Sequence, residues 1–220
     1  MSDELYRRTE KKLAEFDLTP QDFEDAIWAG INARRAVPPS AVETSKGYAD
    51  WTHRHGTLRE TLLGRGWSLL DHHGAPFSRH PKVPMALGVL QGDAGTGDRN
   101  APLTSRYDSG TRTAELTLEN DNPGPSQFAL FDPATGDSST PTAPIPGLKV
   151  WFLVTWWNDI EHQVRAEFSQ PKPIDGARKI TDWAERFPLP PLDFRPNAGP
   201  SIRPGDPADP DELDFEIPLR

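Results

Sequence analysis

The apolar positions of the chain change rhythm once, near residue 67. Before that point they recur at helical spacing, and after it they fall in short runs that suit strands. Residues 3–16 predict a first helix in which Leu5, Leu13 and Phe16 are sparse apolar contacts among many charges, as in a peripheral element. The second helix is better specified. Thr19 suits the N-cap, Pro20 the first helical position and Asp22 the positive helix end. Phe23, Ala26, Ile27, Gly30 and Ile31 then share one face until Pro38-Pro39 ends the pattern. A third helix is predicted over 48–63, with Trp51, Leu58, Leu62 and Tyr48 turned to the core and Gly64-Arg65-Gly66 closing it, since glycine tolerates the left-handed cap.

Beyond residue 67, strands are predicted near 67–71, 83–91, 111–118, 127–131, 148–157 and 160–168. The connections are rich in Gly, Pro, Asp and Ser, which favour turns. The fold class expected is α+β, with N-terminal helices packed on an antiparallel β-meander. In the last hairpin a two-residue Asn158-Asp159 turn would set Trp157 opposite Ile160, Thr155 opposite His162, Leu153 opposite Val164 and Trp151 opposite Ala166. That face is apolar on both strands and is expected to be the core face. The other face would pair Phe152 with Arg165 and Trp156 with Glu161, aromatics against charges. Either the charged stems and the chain's own tail cover those aromatics, or Phe152 and Trp156 centre a partner surface.

Residues 177–187 read as a short helix with Ile180, Trp183 and Phe187 in register. From 188 onward prolines accumulate, and Pro188-Leu189-Pro190-Pro191-Leu192 reads as extended polyproline. The end of the chain alternates acidic with apolar residues around Phe215, a pattern suited to adding a strand to a sheet edge or to remaining unpaired. The expected organisation is a helical segment over 1–66, a sheet core with a short helix over 67–187, and a proline-rich acidic tail over 188–220.

Composition sharpens this picture. Proline is 24 of 220 residues while only 35% are hydrophobic, as expected of a folded part joined to a proline-rich connector. There is no cysteine, which excludes disulfides, thiolate metal sites and cysteine nucleophiles. The net charge of -9 opposes nucleic-acid binding, although Arg34-Arg35 and the stretch from Arg54 to Arg65 are candidate local basic patches. An acidic chain can also imitate nucleic acid and occupy a DNA-binding partner. The first residues do not resemble a signal peptide and no apolar run approaches 18 residues, so a cytoplasmic protein without a membrane partner is expected.

Two segments invite chemistry. Asp71-His72-His73 ends a predicted strand, and with His80 it offers carboxylate and imidazole ligands that suit manganese or zinc. The triplet resembles the signature of the DHH phosphoesterases, over those three residues alone; the region before it reads as helical, whereas that family carries aspartates on strand ends. The loop Gly92-Asp93-Ala94-Gly95-Thr96-Gly97 follows an apolar strand as phosphate-binding loops do, but it lacks the Walker lysine and a following helix. Asp93, Thr96 and Asp98 are retained as candidates because exposed glycine-rich loops often carry function.

The segment Ala86-Leu87-Gly88-Val89-Leu90-Gln91-Gly92-Asp93-Ala94-Gly95-Thr96-Gly97, together with Val150-Trp151-Phe152-Leu153, Glu167-Phe168-Ser169-Gln170-Pro171, the Trp183-Ala184-Glu185-Arg186-Phe187-Pro188-Leu189-Pro190 segment and the Asp-Phe-Glu-Ile-Pro ending, resembles a family of bacterial proteins often carried on plasmids, integrative elements and phages. The resemblance runs from about residue 67 to 220. It implies one continuous fold that includes the tail, and it implies no activity. The function expected is therefore a non-enzymatic binding or adaptor protein of a mobile element or phage-conflict system, with a protein partner or self-association. Its contact would use Phe152, Trp156, Arg165, Glu161 and Phe215, and no cofactor is expected. The alternatives are a metal-dependent hydrolase of a nucleotide or nucleic acid, using Asp71, His72, His73 and Asp93 with a divalent metal, and an acidic nucleic-acid mimic.

Overall fold

A computed structural model describes residues 3–72, 75–118, 120–121, 147–174, 176 and 178–195. Among them the helices are α1 (Asp3–Ala14), α2 (Pro20–Ala36), α3 (Ser45–Gly64) and α4 (Thr111–Thr117). The strands are β1 (Ser68–His72), β2 (Ala75–Arg79), β3 (Met85–Gln91), β4 (Lys149–Asn158), β5 (Gln163–Pro171) and β6 (Trp183–Asp193), which lie side by side in that order. The fold is α+β around one mixed sheet.

The helix signals act as their chemistry requires. Pro20 opens α2, and the Asp22 carboxylate reaches back to the Thr19 N–H at 2.7 Å. Arg65, just beyond α3, donates to the same carboxylate at 2.7 Å and ties the start of α2 to the end of α3. Gly66, at φ +82°, ends α3: its N–H reaches Leu63 O and the Trp67 N–H reaches Leu62 O, the paired bonds of a Schellman cap. All five apolar positions predicted on α2 are buried. The first helix is less peripheral than expected, because Leu13 is fully buried and Thr9 donates to Pro188 O at 2.9 Å, docking α1 on β6.

The third helix is rotated from its expected face. Asp50, Arg54, His55, Leu58 and Leu62 point inward, while Tyr48 and Trp51 are 70% and 39% exposed. Hydrophobicity assigns Trp51 to the interior. The charges of Asp50 and Arg54 go there instead because each neutralises the other.

The sheet is not a meander. β3 and β4 run parallel, and their long connection carries α4 rather than the strand expected over 111–118. Alternating threonines there imitate a strand, but Ala114 and Leu116 are buried from a helix that starts at Thr111, after Gly110 as its N-cap. The strand expected over 127–131 lies outside the described residues. β2 was not anticipated, and of the helix expected over 177–187 the residues from Trp183 on begin β6, while 178–182 are neither helix nor strand. β6 carries Pro188, Pro190 and Pro191 because it is an edge strand, where a missing N–H on the open side costs no ladder bond. The boundary expected at 188 therefore falls inside a strand.

The β4–β5 hairpin pairs Trp157 with Val164, Thr155 with Ala166 and Leu153 with Phe168. This is four residues from the expected register, an even shift, so each side chain keeps its predicted face. A two-residue turn of the favoured type needs positive φ at both central residues, and here only His162 has it. The turn is instead held by Asn158, whose Oδ1 accepts from Glu161 N and whose Nδ2 donates to Glu161 Oε2. Ile160 sits at its tip, 92% exposed.

Both faces of the sheet are covered. On one, Trp151, Leu153, Val164, Ala166 and Phe168 pack against the first three helices. On the other, Phe77, Val150, Phe152 and Val154 pack under α4 and the segments carrying Leu103, Ile174 and Ile180.

Candidate functional site

Asp71 is exposed on β1 and paired with Arg59 at 2.8 Å. His72 lies on the same strand, and His73 falls outside the described residues. His80 is buried edge-on to Trp67, and its Nδ1 accepts from Lys82 N and Val83 N, each at 3.0 Å. Burial holds its pKa below the ordinary value, against the opposing pull of Asp17. Among the described residues, no three His, Asp or Glu side chains gather as metal ligands do.

The glycine-rich loop is filled from within. Asp93 accepts from Gly95 N at 3.0 Å and Thr104 N at 3.2 Å, and Asp98 accepts from Asn100 N at 2.9 Å. Thr96 is fully buried. Arg186 reaches the loop from β6, donating to Gly95 O, Asp98 O and Ala101 O, while its fork holds the buried Glu167 at 2.9 and 2.7 Å. Glu167 in turn accepts from Gly97 N at 2.9 Å. The loop wraps the Arg186–Glu167 ion pair.

The expected partner face is corrected in the same way. Phe152 is 3% exposed and packs on Phe77. Trp156 is half-buried under the Arg165 guanidinium at 5.5 Å, and Arg165 is held by Glu161 at 2.8 Å. The charged stem covers the aromatic. Phe215 lies outside the described residues.

A different constellation gathers where the carboxyl ends of the parallel pair β3 and β4 meet the end of α2 and the start of α3. A cleft of about 630 Å³ opens there, lined by Tyr48 and Trp51 from α3, Tyr107 from the loop after β3, and Trp157 from β4. Arg34, Lys46 and Arg106 supply positive charge, and Glu43 and Asp159 supply negative charge. Among the described residues no carboxylate pairs with any of the three cations; Arg34 instead lies 4.6 Å over the Trp157 ring. Tyr48 stacks near Trp51, centroids 6.3 Å apart.

The backbone under these side chains is fixed. Arg106 N donates to Gln91 O at 2.8 Å. Ser105 is fully buried, accepts from Ile180 N at 2.9 Å and donates to Tyr107 O at 2.8 Å. Arg106 and Tyr107 are therefore presented from a pinned segment, which lowers the ordering cost of binding. Behind the cleft, Arg54 bonds Asp50 and the Thr155 hydroxyl, and Asp50 accepts the Trp157 indole N–H at 2.9 Å. Asp50, Arg54 and Thr155 are each about 1% exposed. Gly30 of α2 lies against Asp50 where any Cβ would collide with the carboxylate, so glycine permits this approach of the two helices.

His55 backs the cleft, its ring 4.4 Å from Trp51 and its Nδ1 against Trp51 O at 3.2 Å. Burial lowers its pKa to about 4, aided by the Arg54 and Arg59 charges and opposed by the Trp51 carbonyl. The unfolded chain protonates first, so His55 contributes stability above pH 6.5 that is lost as pH falls toward 4. Equilibrium denaturation at pH 7 and pH 4 is expected to show a loss from this group of up to about 3 kcal/mol. A His55→Gln variant, which cannot charge, is expected to lose correspondingly less over that window.

A second, smaller cavity of about 200 Å³ lies between α1, α2 and β6, and among the described residues its ionisable side chains are Glu10, Glu24 and Tyr6. It is below the usual size of a ligand pocket, whereas the aromatic cleft is within it. Sequence reading missed the cleft. In the sequence pattern Arg34 stands out as part of a basic pair, while hydrophobicity places Tyr48 and Trp51 in the core. Comparisons with protein-family models, with curated proteins and with solved structures give no match.

Proposed function

We propose that the protein is a non-enzymatic binding protein and that the aromatic, basic cleft is its recognition surface. One observation carries this. Among the described residues the exposed large aromatics are Tyr48, Trp51 and Tyr107, and all three line the same cleft. Exposed aromatic surface grouped in this way marks interaction sites, and side chains scattered singly do not. Cations beside it that pair with no carboxylate among the described residues favour an anionic occupant even on a chain of net charge -9, because a concave site responds to its local charges.

The test uses full-length protein immobilised in an extract of its own host. A Tyr48→Ala/Tyr107→Ala variant and an Arg106→Glu variant alter only exposed side chains, so their stability is expected to stay within about 0.5 kcal/mol of the parent. Material retained by the parent is expected to be lost from both. Equal retention by all three proteins would reject the cleft as the recognition surface.

A further inference from the structure

We propose that the occupant of the cleft is a free nucleotide, a heteroaromatic base carrying a sugar and phosphate. This rests on the binding role argued above and names the ligand class. The lining divides into three chemistries. Tyr48, Trp51 and Tyr107 offer ring faces on which a base stacks, an interaction tolerant of base identity. Arg34, Lys46 and Arg106 offer donors for phosphate oxygens. Glu43 and Asp159 offer acceptors for sugar hydroxyls, the role carboxylates take beside ribose.

Other occupants satisfy only part of this lining. A simple anion leaves the aromatic faces in water, and an apolar ligand brings no counter-charge to the three cations, two of which, Arg34 and Arg106, lie over the Trp157 and Tyr107 rings. An extended acidic peptide that adds to a sheet needs an open edge, whereas the cleft lies over the ends of β3 and β4, the two central strands. A long nucleic-acid strand meets the net charge of -9 beyond the cleft. The volume of about 630 Å³ suits a single small ligand, and the site lies outside the carboxyl ends of the parallel strands, where open sheets with parallel strands place their ligands.

Isothermal titration of the full chain tests the assignment, with the four ribonucleoside triphosphates, their nucleosides, tripolyphosphate, a short oligothymidylate and a poly-glutamate peptide as probes. At least one triphosphate is expected to bind at least about tenfold tighter than its nucleoside and than tripolyphosphate, since base and phosphate are both recognised. Tyr48→Ala/Tyr107→Ala and Arg106→Glu are each expected to weaken that binding about tenfold. No triphosphate binding up to about 1 mM, binding indifferent to both variants, or preference for the oligonucleotide or the peptide would overturn the proposal. If nucleotides fail while extract capture still depends on Tyr48, Tyr107 and Arg106, the ligand class is wrong and the recognition surface stands. If capture is also indifferent to those residues, both fall.

Discussion

Replacing Asp50 with alanine is expected to destabilise the protein by about 3–5 kcal/mol, because it leaves the Arg54 guanidinium charged and unpaired in the interior. Arg54 is 1% exposed, and its other side-chain partner is the Thr155 hydroxyl, which cannot neutralise it. Burial already pulls the Arg54 pKa below its ordinary value, and Asp50 is what opposes that pull. Urea denaturation is expected to show a lower midpoint at unchanged slope. An Asp50→Ala/Arg54→Met double variant removes both charges and is expected to recover most of the loss. A loss under about 1 kcal/mol for the single variant would mean that the guanidinium reaches water, contrary to the packing described. Asp50 also holds the Trp157 indole at 2.9 Å, so the same substitution loosens one wall of the cleft.

Arg186→Ala is expected to have an effect of similar size, about 3–5 kcal/mol, for a related reason. Glu167 is fully buried, and the Arg186 fork supplies its positive charge. The same guanidinium holds three carbonyls of the loop between Gly95 and Ala101. Limited proteolysis of the variant under native conditions is expected to cut within residues 93–102, which the parent resists. Arg186→Lys is expected to restore little, because a single ammonium lacks the planar fork that serves carboxylate and carbonyls together. Rescue by lysine would mean that charge alone matters and that the loop is held by other contacts.

Local chemistry was legible in the sequence where it acts on its own neighbourhood. Thr19, Pro20 and Asp22 announced α2, and Gly64-Arg65-Gly66 announced the end of α3. The alternation of Trp151, Leu153, Thr155 and Trp157 assigned the helix-facing side of β4 despite the wrong turn, since an even register shift preserves the faces. Choices settled by distant partners were not legible. Asp50 and Arg54 enter the core only because they meet each other under Thr155, and that displaces Tyr48 and Trp51 to the surface. The prolines of β6 are compatible with a strand only because that strand is an edge. The parallel pairing of β3 and β4 depends on a long connection whose path no local pattern dictates. The cleft was hidden for the same reason, since its lining comes from two helices, two strand ends and a loop far apart in sequence.

The most direct measurement of the central claim is hydroxyl-radical footprinting of the protein in its host extract and after purification. Protection of Tyr48, Trp51 and Tyr107 together in the extract is expected, while Leu69 and Ile160, exposed outside the cleft, react alike in both. Equal modification of the three aromatics in extract and in isolation would contradict a recognition role for this cleft.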